Sequence, residues 1–179
     1  MSKTNKDTLN ELFKSYGLVY DSEDKKNSDI FKTKNFTIIT RSGIEKIQAA
    51  LGVKASYDVK YIDPFYVVMK GNFSYVNRNT GEEVSVETFG EASVDRKEIV
   101  MEEQSISKTD GTSKSIREAI EIVTIKGNIQ QQPAYPAAMA EKRALSRGVL
   151  KLAGLYEHGV FGEDEADAFK KEVDSVRFS

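Results

Sequence analysis

The chain of 179 residues contains no cysteine and a single histidine. The first absence removes disulfides, thiolate metal sites and cysteine nucleophiles, and it fits a reducing compartment. His158, in LYEHG, has no second ligand type beside it for a metal set and no partners for a triad, so a capping or surface position is expected. Long hydrophobic runs are missing too. No stretch approaches the roughly 18 apolar residues of a membrane span, and the opening MSKTNKDTLNELFKSYG lacks the apolar run of a signal peptide. The expectation is a cytoplasmic protein with no membrane partner. GNFSYVNRNTGE carries glycines without a phosphate-loop spacing, and no Walker sequence occurs, so ATP chemistry is not expected. A formal net charge of -2 points to no partner class by itself.

What is present suggests one α+β domain. Leu9, Leu12, Phe13 and Tyr16 recur at helical spacing, giving a helix from about Lys6 to Tyr16 that Gly17 ends. DSEDKKNSD, from Asp21 to Asp29, reads as a polar loop. FTIIT, Phe36 to Thr40, is a short strand. SGIE follows as a capping box with Ser42 as N-cap and Glu45 reaching back. The helix it opens has Ile44, Ile47 and Leu51 on one face and stops at Gly52. From Ala55 to Gly90 the period changes to two: a strand through Tyr57, Val59 and Tyr61, a longer one from Phe65 to Val76, turn chemistry in NRNTGE, and a third strand from Glu83 to Gly90. Short connections make this an antiparallel meander. Val94 to Ser115 reads as a flexible loop or an extended hairpin arm, and AIEIVTI, Ala119 to Ile125, as a fourth strand. A last helix is expected from near Glu163, with Ala166, Phe169, Val173 and Val176 as its apolar face.

The segment Tyr135 to Leu155, YPAAMAEKRALSRGVLKLAGL, carries Lys142, Arg143, Arg147 and Lys151 against one acid, Glu141. Pro136 suits its first turn and Gly154 its C′ position. At about 100° per residue, Arg143, Arg147 and Lys151 share one face, with Leu145, Val149 and Leu152 opposite. Such a helix is expected to bury one stripe and present three cations. Like charges at i,i+4 repel by a few tenths of a kcal/mol per pair, which a phosphate backbone would relieve. The bland alternative is a solvated helix face.

FYVVMKGNFSYVNRNTGEEVSVETFGEAS followed by AMAEKRALSRGVLKLAGL resembles the Rad fifty-two-type single-strand annealing proteins of eukaryotic recombination and of phages. Their β-β-β-α core has a G-x-(A/S) turn at the end of the third strand, matched by Gly90 to Ala92. ITRSGIEKIQAALGV, Ile39 to Val53, is similar to the helix before their sheet. The resemblance spans about Phe36 to Leu155 and implies a three- to four-stranded meander packed on a basic helix, with flanking helices. It divides the chain into an N-terminal helix and linker (1-35), an annealing core (36-156) with an insertion at about 93-117, and an acidic C-terminal helix (157-179). It also implies a non-enzymatic recombination and repair protein that pairs complementary DNA strands as a ring or helical array, without ATP, metal or other cofactor. Arg143, Arg147 and Lys151 would be its DNA contacts, with Lys142 on the flank, Arg41 in a loose register and Lys46 weaker. Removing Arg143 and Arg147 together is expected to leave folding intact. An exonuclease or a single-strand-binding protein is an implied partner. About forty residues separate Gly90 from the basic helix, longer than in many members, and Arg96, Lys97, Lys108 and Lys114 of that insertion are read first as loop residues.

Other readings remain at this stage. One is a protein that coats single strands without annealing them. Another is a nuclease using Glu163 to Asp167 as a magnesium cluster, although acids at a helix start are explained by the helix dipole. A third is an oligomer in which the basic helix meets an acidic region. Phe65, Tyr66, Phe73, Tyr75 and Phe89 suggest base stacking, but most of them alternate as core residues do, and Tyr66 lies off that apolar face.

Overall fold

The computed structural model describes residues 5–21, 23–24, 27–32, 36–107, 111, 113–129 and 134–165. Helix α1 (Asn5–Ser15) leads into strands β1 (Ile30–Lys32) and β2 (Thr37–Ile39), then helix α2 (Arg41–Leu51). The meander is β3 (Lys54–Ile62), β4 (Tyr66–Val76) and β5 (Glu83–Ser93), antiparallel throughout and in that spatial order. Strands β6 (Arg96–Ser107) and β7 (Ser113–Ile125) form a separate hairpin. Helix α3 (Pro136–Leu152), a 3-10 turn (Tyr156–His158) and β8 (Val160–Gly162) complete the order. The fold is α+β, an antiparallel meander packed against α3 with flanking helices.

Period-two patterning places Val67, Met69, Gly71 and Phe73 of β4 inward, and Thr88, Gly90 and Ala92 of β5 with them. Helix α3 lies across this inner face, and its other side meets β8 and α2. β8 completes a small sheet by running parallel to β2, which is itself antiparallel to β1. Contact with α3 is close because small residues allow it. A Cβ on Gly90 would fall on the Ala140 carbonyl oxygen and 2.7 Å from the Ala144 nitrogen. A Cβ on Gly148 would enter the Phe73 ring, and one on Gly162 would lie 2.7 Å from the Ser146 Cβ. Thr88 Oγ1 donates to the Ala144 carbonyl at 2.7 Å, both buried.

Several expectations change here. Gly90 does not end a strand or make a turn; β5 runs through Gly90 and Ala92 to Ser93, and the glycine serves the helix crossing it. The cap of α2 is Thr40, whose side chain accepts from the Gly43 N–H at 3.2 Å, while Glu45 pairs with Arg41 across one turn. Thr40 wins the cap because it leaves β2 with extended angles, as an N-cap does. Tyr61 is not in line with Tyr57 and Val59. A register shift between Val59 and Tyr61 turns it to the outer face, beside Tyr66. The 93–117 insertion is the hairpin arm of the two readings, and Ala119 to Ile125 is its return strand, paired with β6 rather than with the meander. Strands β1 and β8 were not anticipated; IFK and VFG lack the β-branched run, TII, that marks β2.

The segments drawn as flanking share the central core. Phe13 and Leu18 from the N-terminal part, and Leu155 and Val160 from beyond α3, are buried in one cluster with Phe73, Leu145, Val149 and Leu150. The loop before β1 is anchored by Asp29, 3% exposed, whose carboxylate accepts from Lys46 Nζ at 2.6 Å and from the Val19 N–H at 2.9 Å. Ala166, Phe169, Val173 and Val176 lie outside the described residues.

Two predictions follow from this packing. Gly90→Ala forces backbone apart rather than a flexible side chain, and should cost about 3 kcal/mol or more, read as a lower urea midpoint. For Asp29, burial opposes ionisation, but the Lys46 ammonium and the Val19 N–H outweigh it and hold the carboxyl below the ordinary aspartate value. A depressed carboxyl pKa stabilises the fold above the unfolded value of about 4 and loses that contribution as pH falls through the folded value. Asp29→Asn should therefore lower stability at neutral pH by about 2 kcal/mol and narrow its gap to wild type below pH 4, as followed by denaturant melts across pH.

Candidate nucleic-acid interface

Helix α3 starts with Pro136 at its first turn, and Gly154 follows its end at φ 68. From Arg143 to Leu150 only Arg147 escapes full burial, because the meander covers one side and β8 with α2 the other. The helix is a central element, so the three-cation stripe does not face solvent as one row. Arg143 is 8% exposed. Its Nη1 donates to the Glu91 carbonyl at 2.6 Å, its Nε to the Asp164 carbonyl at 3.1 Å and its Nη2 to the Asn128 carbonyl at 3.4 Å. One guanidinium thus joins β5, the base of the arm and the C-terminal segment, a use that suits its planar fork of donors.

Arg147 is partly exposed. Its Nη1 donates to the Phe89 carbonyl at 2.6 Å and its Nε to the Glu165 carboxylate at 2.5 Å. Phe89 and Glu91 are alternate residues of β5, the strand at the meander's edge. Their carbonyls point away from β4, and the two arginines satisfy them where another strand would otherwise pair. Further along this edge, the Ile129 N–H donates to the Ser93 carbonyl at 2.9 Å. The Asn128 side chain accepts from the Ser93 N–H at 2.7 Å. Lys151 is exposed, with Nζ 5.6 Å from the centre of the Tyr156 ring. Lys142 is exposed on another side of the helix.

Four of the five candidate cations nonetheless converge, and acids bring them together. Glu163, Asp164 and Glu165 are helical in conformation. Desolvation raises the Glu163 carboxyl above its ordinary value, against a hydrogen bond from the Arg41 backbone N–H and, with Asp164 adding to the rise, the nearby charges of Lys142 and Arg41. That N–H belongs to the first residue of α2, where an anion also meets the helix dipole. Asp164 offers its carbonyl to Arg143 and its carboxylate to Ser146 Oγ at 3.2 Å. Glu165, 6% exposed, holds Arg147. Two buried polar atoms at this site lack a hydrogen-bond partner, Arg41 Nη1 and Glu165 Oε2.

Arg41, Lys142, Arg143 and Arg147 therefore surround residues 163–165, and Lys151 stands apart. The acids themselves do not gather for a metal: among the described residues no three acidic or histidine side chains converge to hold one. Lys46 is committed to Asp29. Arg96 pairs with Glu98 at 2.8 Å, and Lys97 is exposed on the arm; Lys108 and the Lys114 side chain lie outside the described residues. The outer face of the meander is an unfavourable place for phosphate, since Glu83, Glu87 and Glu91 are exposed along β5. Tyr66 donates its hydroxyl to Glu91 at 2.9 Å, and Phe89 is 51% exposed on the same face. Phe73 is fully buried, while Phe65 is exposed. His158 is exposed beside Glu157. Comparison with family models, with curated proteins and with solved structures returns no match to this chain.

The interior position of Arg143 reverses the expectation that removing both arginines spares the fold. Arg143→Ala leaves buried carbonyls without their donor and should cost about 2–4 kcal/mol. Arg143→Lys should recover only part of that, because one ammonium cannot span the three acceptors. Equilibrium urea unfolding of the two variants checks both statements.

Proposed function

We propose that this protein binds single-stranded DNA and anneals complementary strands as an assembled array, without bond chemistry. The observation that carries the reading is the convergence of Arg41, Lys142, Arg143 and Arg147 from two helices onto one patch that already accommodates three successive anionic residues. A patch of this kind suits a chain of phosphates. Lys142, Arg147 and Lys151 are the cations within reach of a ligand. Arg143 acts by positioning, since it fixes the β5 edge against α3.

Assembly is supported by what a single chain leaves in water. The β3 edge of the meander has no neighbouring strand among the described residues, and Val59, Tyr61 and Ile62 on it are exposed. The hairpin arm exposes Ile99, Val100, Met101, Ile122 and Ile125. An isolated two-stranded hairpin is marginal in water, and an open edge invites another strand. Subunits side by side would sum a few cations per chain into one track, with affinity gained by multivalency. Neutralised backbones would lower the repulsion between two strands, and ordered bases would shorten the search for register. The resemblance to Rad fifty-two-type annealing proteins points the same way.

Lys142→Ala with Lys151→Ala tests the reading on exposed side chains outside the core. Single-strand affinity should fall at least about tenfold, and the slope of log K against log salt should shrink by about 0.7 per lost phosphate contact. Annealing of complementary oligonucleotides should fall with it. Unchanged binding and annealing would mean that the cation network is structural only. Binding without annealing in the wild type would leave a coating protein. Light scattering should report species well above the 20.0 kDa chain; a monomer with and without oligonucleotide would sink the array.

A further inference from the structure

Of the cations within reach of DNA, Arg147 is held by Glu165 and Lys142 lies near Glu163, while Lys151 stands apart. Glu163, Asp164 and Glu165 follow β8 directly, and each engages a different part of the patch. Glu163 faces the Arg41 N–H and the Lys142 charge, Asp164 takes Arg143 on its backbone carbonyl and Ser146 on its carboxylate, and Glu165 takes Arg147 at 2.5 Å. Three anionic residues in a row thus lie where the proposed ligand would place phosphates. Their fit is incomplete. Glu165 Oε2 is buried without a partner, and so is Arg41 Nη1. A buried polar atom without a hydrogen bond costs free energy, so the closed arrangement is under-satisfied.

We propose that residues 163–165 are a resident competitor for the nucleic-acid site: in the DNA-free chain they occupy the cation patch, and they leave it when a single strand binds. This rests on the DNA-binding reading above and concerns the regulation of the same site. The competition is intramolecular, so it sets a threshold that does not depend on protein concentration. A single weak encounter is refused, whereas a strand that contacts several assembled subunits supplies enough phosphates to displace the acids. Apparent affinity equals intrinsic affinity scaled by the open fraction. A closed population of about nine in ten therefore hides tenfold in affinity.

Full-length Glu165→Gln and Glu163→Gln keep side-chain shape and remove one charge each. Glu163 is less buried than Glu165, so its variant is expected to fold even if the other does not. With a fluorescein-labelled oligothymidine as probe, anisotropy should show the Glu165→Gln dissociation constant lowered about tenfold and that of Glu163→Gln lowered about threefold. Both gains should shrink as salt rises. Dissociation constants within twofold of wild type for both folded variants would overturn the competitor. Hydrogen exchange on the wild-type protein gives a second readout: amides of residues 160–165 should lose protection when the oligonucleotide is added. Unchanged or greater protection with DNA bound would also overturn it. If no protein of the three binds the probe, the DNA-binding reading itself fails, and this inference with it.

Discussion

The backbone of α3 touches the backbone of β5 at Gly90, and much of the molecule follows from that contact. A strand and a helix normally stay apart by the thickness of their side chains. Here the glycine, with Ala140 and Ala144 opposite, removes that spacer. The short distance lets Thr88 reach a helix carbonyl and lets the Phe73 ring lie over Gly148. It also brings the arginines one and two turns beyond Ala140 within reach of the β5 edge. Because α3 is also covered by β8 and α2, one helix holds together two sheets that share no strand.

A helix in that position makes unusual use of its charges. Arg143 is inside the protein, and its charge is tolerated because its donors meet backbone carbonyls of three separate segments. Arg147, four residues on, shares the work at the β5 edge and holds a nearly buried carboxylate. Edge protection and charge compensation are thus carried by the same two side chains. The meander has one edge closed by arginines and by residues 128–129, and another left open at β3. Among the described residues, the two edges of the sheet are therefore unlike.

The arm illustrates the same division. Its base is fastened firmly. Asp95 accepts from the Gly127 N–H and from Lys126, and Ser93 and Asn128 bond each other in both directions. Beyond that base, among the described residues β6 and β7 pair only with each other and expose apolar side chains on a strand pair too thin to bury them. The arm thus has a fixed root and an uncovered blade.

The sequence by itself determined the local structure wherever a rule operates over a few residues. Alternation from Tyr66 to Phe73, the turn at NRNTGE, Pro136 at a helix start and Gly17, Gly52 and Gly154 at helix ends are set by backbone sterics and by period, and each is where the sequence puts it. Strands β1 and β8 were illegible because IFK and VFG lack the β-branched run, TII, that marks β2. The choice of Thr40 over Ser42 as cap depended on where β2 ended. Tertiary structure alone decided the meaning of the basic helix. A wheel places Arg143, Arg147 and Lys151 on one face, but it does not say whether that face meets water, a strand edge or a carboxylate. Arg143 went inside because Gly90 drew α3 onto β5, and Arg41, more than a hundred residues away, joined the same patch because α2 packs beside it. Those outcomes depend on which surfaces compete for the same space, and no stretch of sequence contains that competition.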